Sequence, residues 1–85
     1  MFTLFFFNGD DPDIAYKIKD KKAKYGIEYV KEKEFNTIEE ANYRLDNIGS
    51  RWYFYPNACI IDDEDVVSIY MWDGYVYISK RIEEL

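Results

Sequence analysis

Residues 66–81 read Val66-Val67-Ser68-Ile69-Tyr70-Met71-Trp72-Asp73-Gly74-Tyr75-Val76-Tyr77-Ile78-Ser79-Lys80-Arg81. These are runs of β-branched and aromatic residues joined by Asp-Gly. That dipeptide between such runs is the strongest short-range hairpin signal, because both central residues of a type I′ turn need positive φ. A two-residue loop pairs Trp72 with Tyr75, Met71 with Val76, Tyr70 with Tyr77 and Ile69 with Ile78. The pleat then sorts the side chains. Val67, Ile69, Met71, Val76 and Ile78 form an aliphatic face, expected to meet a helix. Tyr70, Trp72, Tyr75 and Tyr77 form an aromatic face, expected to lie open if the sheet is covered on one side only.

Working outward, Asp62, Asp63, Glu64 and Asp65 read as an acidic turn between the first strand of this hairpin and a strand over Ala58–Ile61. Before it come Trp52–Tyr55, read as a strand, and a Pro56-Asn57 turn. Thr37–Ile48 is the clearest helix. Thr37 caps it, Glu40 completes a capping box, and Ile38, Ala41, Leu45 and Ile48 share one face. Glu39 and Glu40 suit the positive end of the helix dipole, and Gly49 stops the helix. Phe2–Phe7 is an unbroken apolar run of the kind buried on both faces in mid-sheet.

Residues 13–24 admit two readings. A helix would have Asp11 as cap, Pro12 at its first position and Gly26 beyond its end. A strand would set Ile14, Tyr16 and Ile18 against Ala15, Lys17 and Lys19, turn at 20–23, and continue with Tyr25, Ile27 and Tyr29 alternating. The helix needs an apolar residue at 21 or 22, where the chain has lysine, so the hairpin is expected. The fold class that follows is α+β: one domain over residues 1–85, with a mostly antiparallel sheet of about five or six strands and one helix packed on one face.

The chain has 85 residues, nine Tyr, six Phe and two Trp. So small a domain can fold on those rings, each burying roughly 150–250 Å², but cannot hide all of them. The net charge is −6, unevenly placed. Residues 17–33 carry seven Lys against Asp20, Glu28 and Glu32, and the rest holds four basic and fourteen acidic residues. The residue usage, with much Ile, Lys, Asn, Tyr and Phe, is what AT-rich codons favour. The short apolar start lacks the basic residues of a signal peptide, and no run is long enough to span a membrane, so a cytoplasmic protein is expected.

Chemistry is harder to find. With no His, the commonest general base and transition-metal ligand is missing. Cys59, the single cysteine, stands between Ala58 and Ile60 and reads as buried. No phosphate loop, zinc pattern or EF-hand spacing occurs. The expectation is therefore no enzyme, no catalytic residue, no metal and no cofactor.

Binding is the reading that remains. Tyr and Trp dominate protein-binding hot spots, which makes Tyr70, Trp72, Tyr75 and Tyr77 the candidate contact, with Asp62, Asp63, Glu64 and Asp65 as an acidic adjunct. Cross-strand rings also stabilise a hairpin by ~0.2–1 kcal/mol each, so the cluster has a purely structural alternative. The expected function is a small acidic protein-binding module. Its concrete form is a phage or mobile-element inhibitor of a nucleic-acid-processing host enzyme, of the anti-restriction or anti-CRISPR kind, using DNA-like acidity. The alternative is a homodimer joined through the aromatic face. A third reading, nucleic-acid binding through Lys17–Lys33, is opposed by the net charge.

Overall fold

Phe2–Phe7 forms the first strand, β1, an inner strand of the sheet. The computed structural model describes residues 1–9, 13–48, 55–63, 65–72, 74 and 77–80, with the backbone alone at 79 and 80. After β1 come α1 (Asp13–Lys19), β2 (Tyr29–Phe35), α2 (Ile38–Asp46), β3 (Asn57–Asp62), β4 (Asp65–Trp72) and β5 (Tyr77–Lys80). The five strands make one antiparallel sheet in the order β2-β1-β3-β4-β5. The α+β class and antiparallel sheet are as expected from sequence; the number and placement of helices are not.

Both neighbours of β1 run antiparallel to it, so β2 and β3 point the same way and their connection must cross back over the sheet. Helix α2 makes that crossing. Thr37 caps it in extended conformation, its Oγ1 accepting from the Glu40 amide at 3.2 Å. The cap expected from sequence is therefore present, and Ala41 and Leu45 are the residues it buries. Gly49, the expected stop, lies outside the described residues, as do Trp52, Tyr53 and Phe54. Tyr55 is not in a strand.

The hairpin expected over residues 13–24 is instead helix α1. The absence of apolar residues at 21 and 22 does not matter, because the helix has ended by then. It is seven residues long and buries Ala15 and Ile18. Lys21 ends it at φ 61°, with its amide donating to the Ile18 carbonyl at 3.1 Å and the Lys22 amide to the Lys17 carbonyl at 2.8 Å. That is the Schellman pattern, made here without the usual Gly. A left-handed lysine costs roughly 1 kcal/mol that Gly would not. Lys21→Gly is accordingly expected to raise the urea midpoint, with a gain of about 0.5–1 kcal/mol; an unchanged or lower midpoint would contradict this ending.

The two helices lie on opposite faces of the sheet. Leu4, Phe6, Ala58 and Ile60 point to the α2 side and pack with Ala41, Leu45, Phe35, Tyr70 and Tyr77. Phe7, Cys59, Ile61, Val66 and Ile69 point to the α1 side and pack with Ala15 and Ile18. The architecture is three layers, helix–sheet–helix, where sequence led us to expect one helix on one face.

Two register details correct the sequence reading. The β4–β5 ladder pairs Trp72 with Tyr77, Met71 with Ile78 and Tyr70 with Ser79, two residues away from the expected alignment. A slip of two leaves every side chain on its face, so hydrophobic pattern could not detect it. Gly74 does hold positive φ, 108°; Asp73, Tyr75 and Val76 lie outside the described residues. The second detail is a bulge opposite Ile60 and Ile61, which brings Val66 rather than Val67 onto the α1 face. Val67 is exposed.

Candidate protein-binding surface

Two of the four rings expected on an open face are covered. Tyr70 and Tyr77 are only 8% and 6% exposed, and both belong to the core beneath α2. Their hydroxyls are satisfied as buried phenols require. Tyr70 donates to Asn42 Oδ1 on α2 and accepts from Ser68 Oγ at 3.2 Å; Tyr77 donates to the Tyr55 carbonyl at 2.9 Å. Burial pushes the Tyr70 phenol above its ordinary range. Trp72 is half-buried, its ring edge-on to Tyr77 at 5.0 Å. Two of the rings expected to join a homodimer, Tyr70 and Tyr77, are thus taken up by the core, and Tyr75 lies outside the described residues.

The acidic turn is accessible. Asp63 and Asp65 are exposed and Asp62 half-exposed, while Glu64 is outside the described residues. The Met1 ammonium lies 3.6 Å from both Asp62 and Asp63, a solvated contact of little energetic weight. β4 separates this turn from Trp72 by seven residue steps, roughly 23 Å at ~3.3 Å each. Asp65 and Trp72 therefore do not share one contact.

Cys59 is buried, as the sequence led us to expect, and burial pushes its thiol far above the usual cysteine range. Among the described residues no cluster of His, Cys, Asp or Glu is arranged to hold a metal ion.

What the sequence did not bring out is the loop between α1 and β2. Tyr25 and Ile27 are each 66% exposed there. The loop is nevertheless tightly fixed. The Gly26 amide donates to the Tyr29 carbonyl at 2.6 Å, and the Ile27 and Glu28 amides to the Lys24 carbonyl at 3.2 and 2.8 Å. The Lys24 amide donates to Glu28 Oε2 at 3.1 Å. Asn8, just past β1, donates its backbone amide to the Glu28 carbonyl at 2.9 Å and its side-chain amide to that of Ile27 at 3.0 Å. Gly26 sits at φ 81°, a conformation that turns Tyr25 and Ile27 outward without strain. The Tyr25 ring stands edge-on to Tyr29 at 5.3 Å, and Tyr29 edge-on to Phe5 at 5.7 Å.

No family model, curated protein or solved structure matches the chain. Its own surface is the guide.

On that surface Tyr25 and Ile27 stand out as apolar side chains held outward by a rigid backbone. Lys24 adjoins them in sequence, Lys17, Lys21 and Lys22 are exposed on the stretch that leads into the loop, and none of the four takes part in the described ion pairs. Part of that charge serves the fold, since Lys17 and Lys19 lie in the last turn of α1 where cations oppose the helix dipole. No helix among the described residues is long and apolar enough to cross a membrane.

Proposed function

We propose that this chain acts by binding another protein rather than by chemistry, and that the loop from Lys24 to Tyr29 makes the contact. The observation that carries the reading is the pair Tyr25 and Ile27, two-thirds exposed on a loop pinned by four backbone-to-backbone hydrogen bonds and the Asn8 and Glu28 side chains. Apolar groups on a preformed scaffold bind without a large ordering cost, which is how hot spots gain their affinity. The exposed lysines beside them favour an acidic partner surface. An inhibitor of a nucleic-acid-processing enzyme, of phage or mobile-element origin, is the narrower form of this proposal. Its support is small size and the lack of a catalytic motif in the sequence.

The test couples capture to variants. Proteins retained from a native-host lysate by the wild-type chain, but not by Tyr25→Ala/Ile27→Ala, are made recombinantly and titrated by calorimetry. The double variant is expected to bind about 30-fold or more weakly, the loss of ~2 kcal/mol typical of hot-spot truncation, while melting like the parent. Equal affinity in a folded double variant would sink the proposal. If the same residues are needed instead to retain a single-stranded oligonucleotide, the contact is with nucleic acid, by stacking on Tyr25 between lysines.

A further inference from the structure

Independently of that loop, we infer that two copies of this chain join edge to edge through β2, in one antiparallel register that places a two-fold axis between Glu32 and Lys33. β2 ends the sheet, and among the described residues no strand lies outside it. Its outer side is closed at one place: Tyr25 bridges to Tyr29, and the Gly26 amide occupies the Tyr29 carbonyl. The free edge is therefore Val30–Phe35.

The side chains on that edge are sorted by a bulge. Opposite β1, Leu4 pairs with Lys33 but Phe5 pairs with Lys31, leaving Glu32 as the extra residue. Lys31 and Glu34 consequently share the α1 face, where they form an ion pair at 3.0 Å. Val30 and Phe35 face the α2 side, packed in its core. Lys33 joins them, its ammonium 5.7 Å over the Phe35 ring, and so does Glu32, bonded to Arg44 of α2 at 2.8 Å.

A second copy meeting this edge about the stated axis sets Val30 against Phe35, Lys31 against Glu34, and Glu32 against Lys33. Each pair joins two residues of the same face, and each is either apolar with apolar or unlike in charge. Neighbouring registers fail. An axis on Glu32 sets Lys31 against Lys33 and Glu32 against itself. An axis on Lys33 sets Lys33 against itself and Glu32 against Glu34. Like charges directly opposite are destabilising, and unlike ones stabilising. An edge lined by one sign of charge repels a second edge; this alternating edge admits a copy of itself in one alignment. The axis would also bring together the two grooves of about 580 Å³ that run beside β2 and α2, lined by Lys33, Phe35 and Arg44 and walled by Tyr43, which is 70% exposed. An isologous contact of this kind closes on itself as a dimer.

The experiment is sedimentation of the wild-type chain up to millimolar concentration, beside Lys31→Glu/Lys33→Glu and Glu32→Lys/Glu34→Lys, with circular dichroism as the check on folding. The wild type should be dimeric. Each reversed variant should dimerise on the order of a hundredfold more weakly, since four unlike pairs become like. An equimolar mixture of the two should restore a heterodimer. Amide exchange offers a readout that needs no variant: protection over Val30–Phe35 should rise with wild-type concentration. A wild type that stays monomeric, a reversed variant that dimerises like the parent, or protection over Val30–Phe35 that does not depend on concentration would each overturn the inference.

Discussion

Tyr77→Ala is expected to lose about 3–5 kcal/mol of folding stability, the range for truncating a buried aromatic ring. An 85-residue domain has roughly 4–13 kcal/mol in total, so this loss is a large share of it and the urea midpoint should fall sharply. The ring packs against two other rings and is held at its hydroxyl. Phe6 lies 5.3 Å away, Trp72 5.0 Å, and the hydroxyl is bonded to the Tyr55 carbonyl. Tyr77→Phe separates the contributions, keeping the ring and losing only the hydrogen bond. It should cost about 1 kcal/mol, somewhat more if the Tyr55 carbonyl is left dry. Urea unfolding of the three proteins is the measurement. Should Tyr77→Ala unfold at the parental midpoint, the ring does not lie beneath α2, and the aromatic face would be open after all.

That result bears on how the fold is encoded. The sorting of β4 and β5 into aromatic and aliphatic faces was readable because a strand's period is two and the Asp-Gly pair fixed its direction. The assignment of those faces was not readable. Either could meet a helix, and with a single helix in view the aliphatic one looked the natural choice. The presence of α1 changes the outcome: Ile69 and Val66 meet α1, so Tyr70 and Tyr77 are left for α2. α2 itself was legible from Thr37 and Glu40, because a cap is a local device that does not depend on what the helix packs against.

β2 and the loop before it were opaque for different reasons. Lys31, Glu32, Lys33 and Glu34 show no alternation of apolar and polar residues. An edge strand needs little, since both its faces are partly wet and its partner β1 carries the apolar load. Tyr25, Ile27 and Tyr29 do alternate, and imitate a strand. Their alternation instead comes from Gly26 and the hydrogen bonds to Asn8, a contact across nineteen residues that no local pattern announces. The surface we propose as the contact is thus one whose exposure is set by tertiary contacts. Of the candidate read from local pattern, the aromatic hairpin face, Tyr70 and Tyr77 went into the core.

Ala15→Glu should be the most damaging single change on the α1 side, costing about 4 kcal/mol or more. Ala15 is fully buried on the face of α1 that packs against Ile61, Val66 and Ile69. A longer side chain there overpacks the interface by ~1–3 kcal/mol, and a carboxylate adds the penalty of an unpaired buried charge. Two comparisons identify the cause. Lys17→Glu, on the exposed side of the same helix, should cost only about 1 kcal/mol, through the reversed charge at the helix C-terminus. Ala15→Gln keeps the size but not the charge and should be milder. The carboxyl in Ala15→Glu would have its folded-state pKa raised by burial, so its protonated form favours folding. The gap between Ala15→Glu and Ala15→Gln is therefore full well above that raised pKa and should close as pH falls through it toward the ordinary glutamate range. The hairpin alternative makes the opposite forecast, because it places residue 15 on the polar side of a strand with Lys17 and Lys19. There a glutamate would be harmless at any pH. An Ala15→Glu variant that unfolds with the parent's urea midpoint would remove α1 from the core, and with it the second layer that covers the sheet.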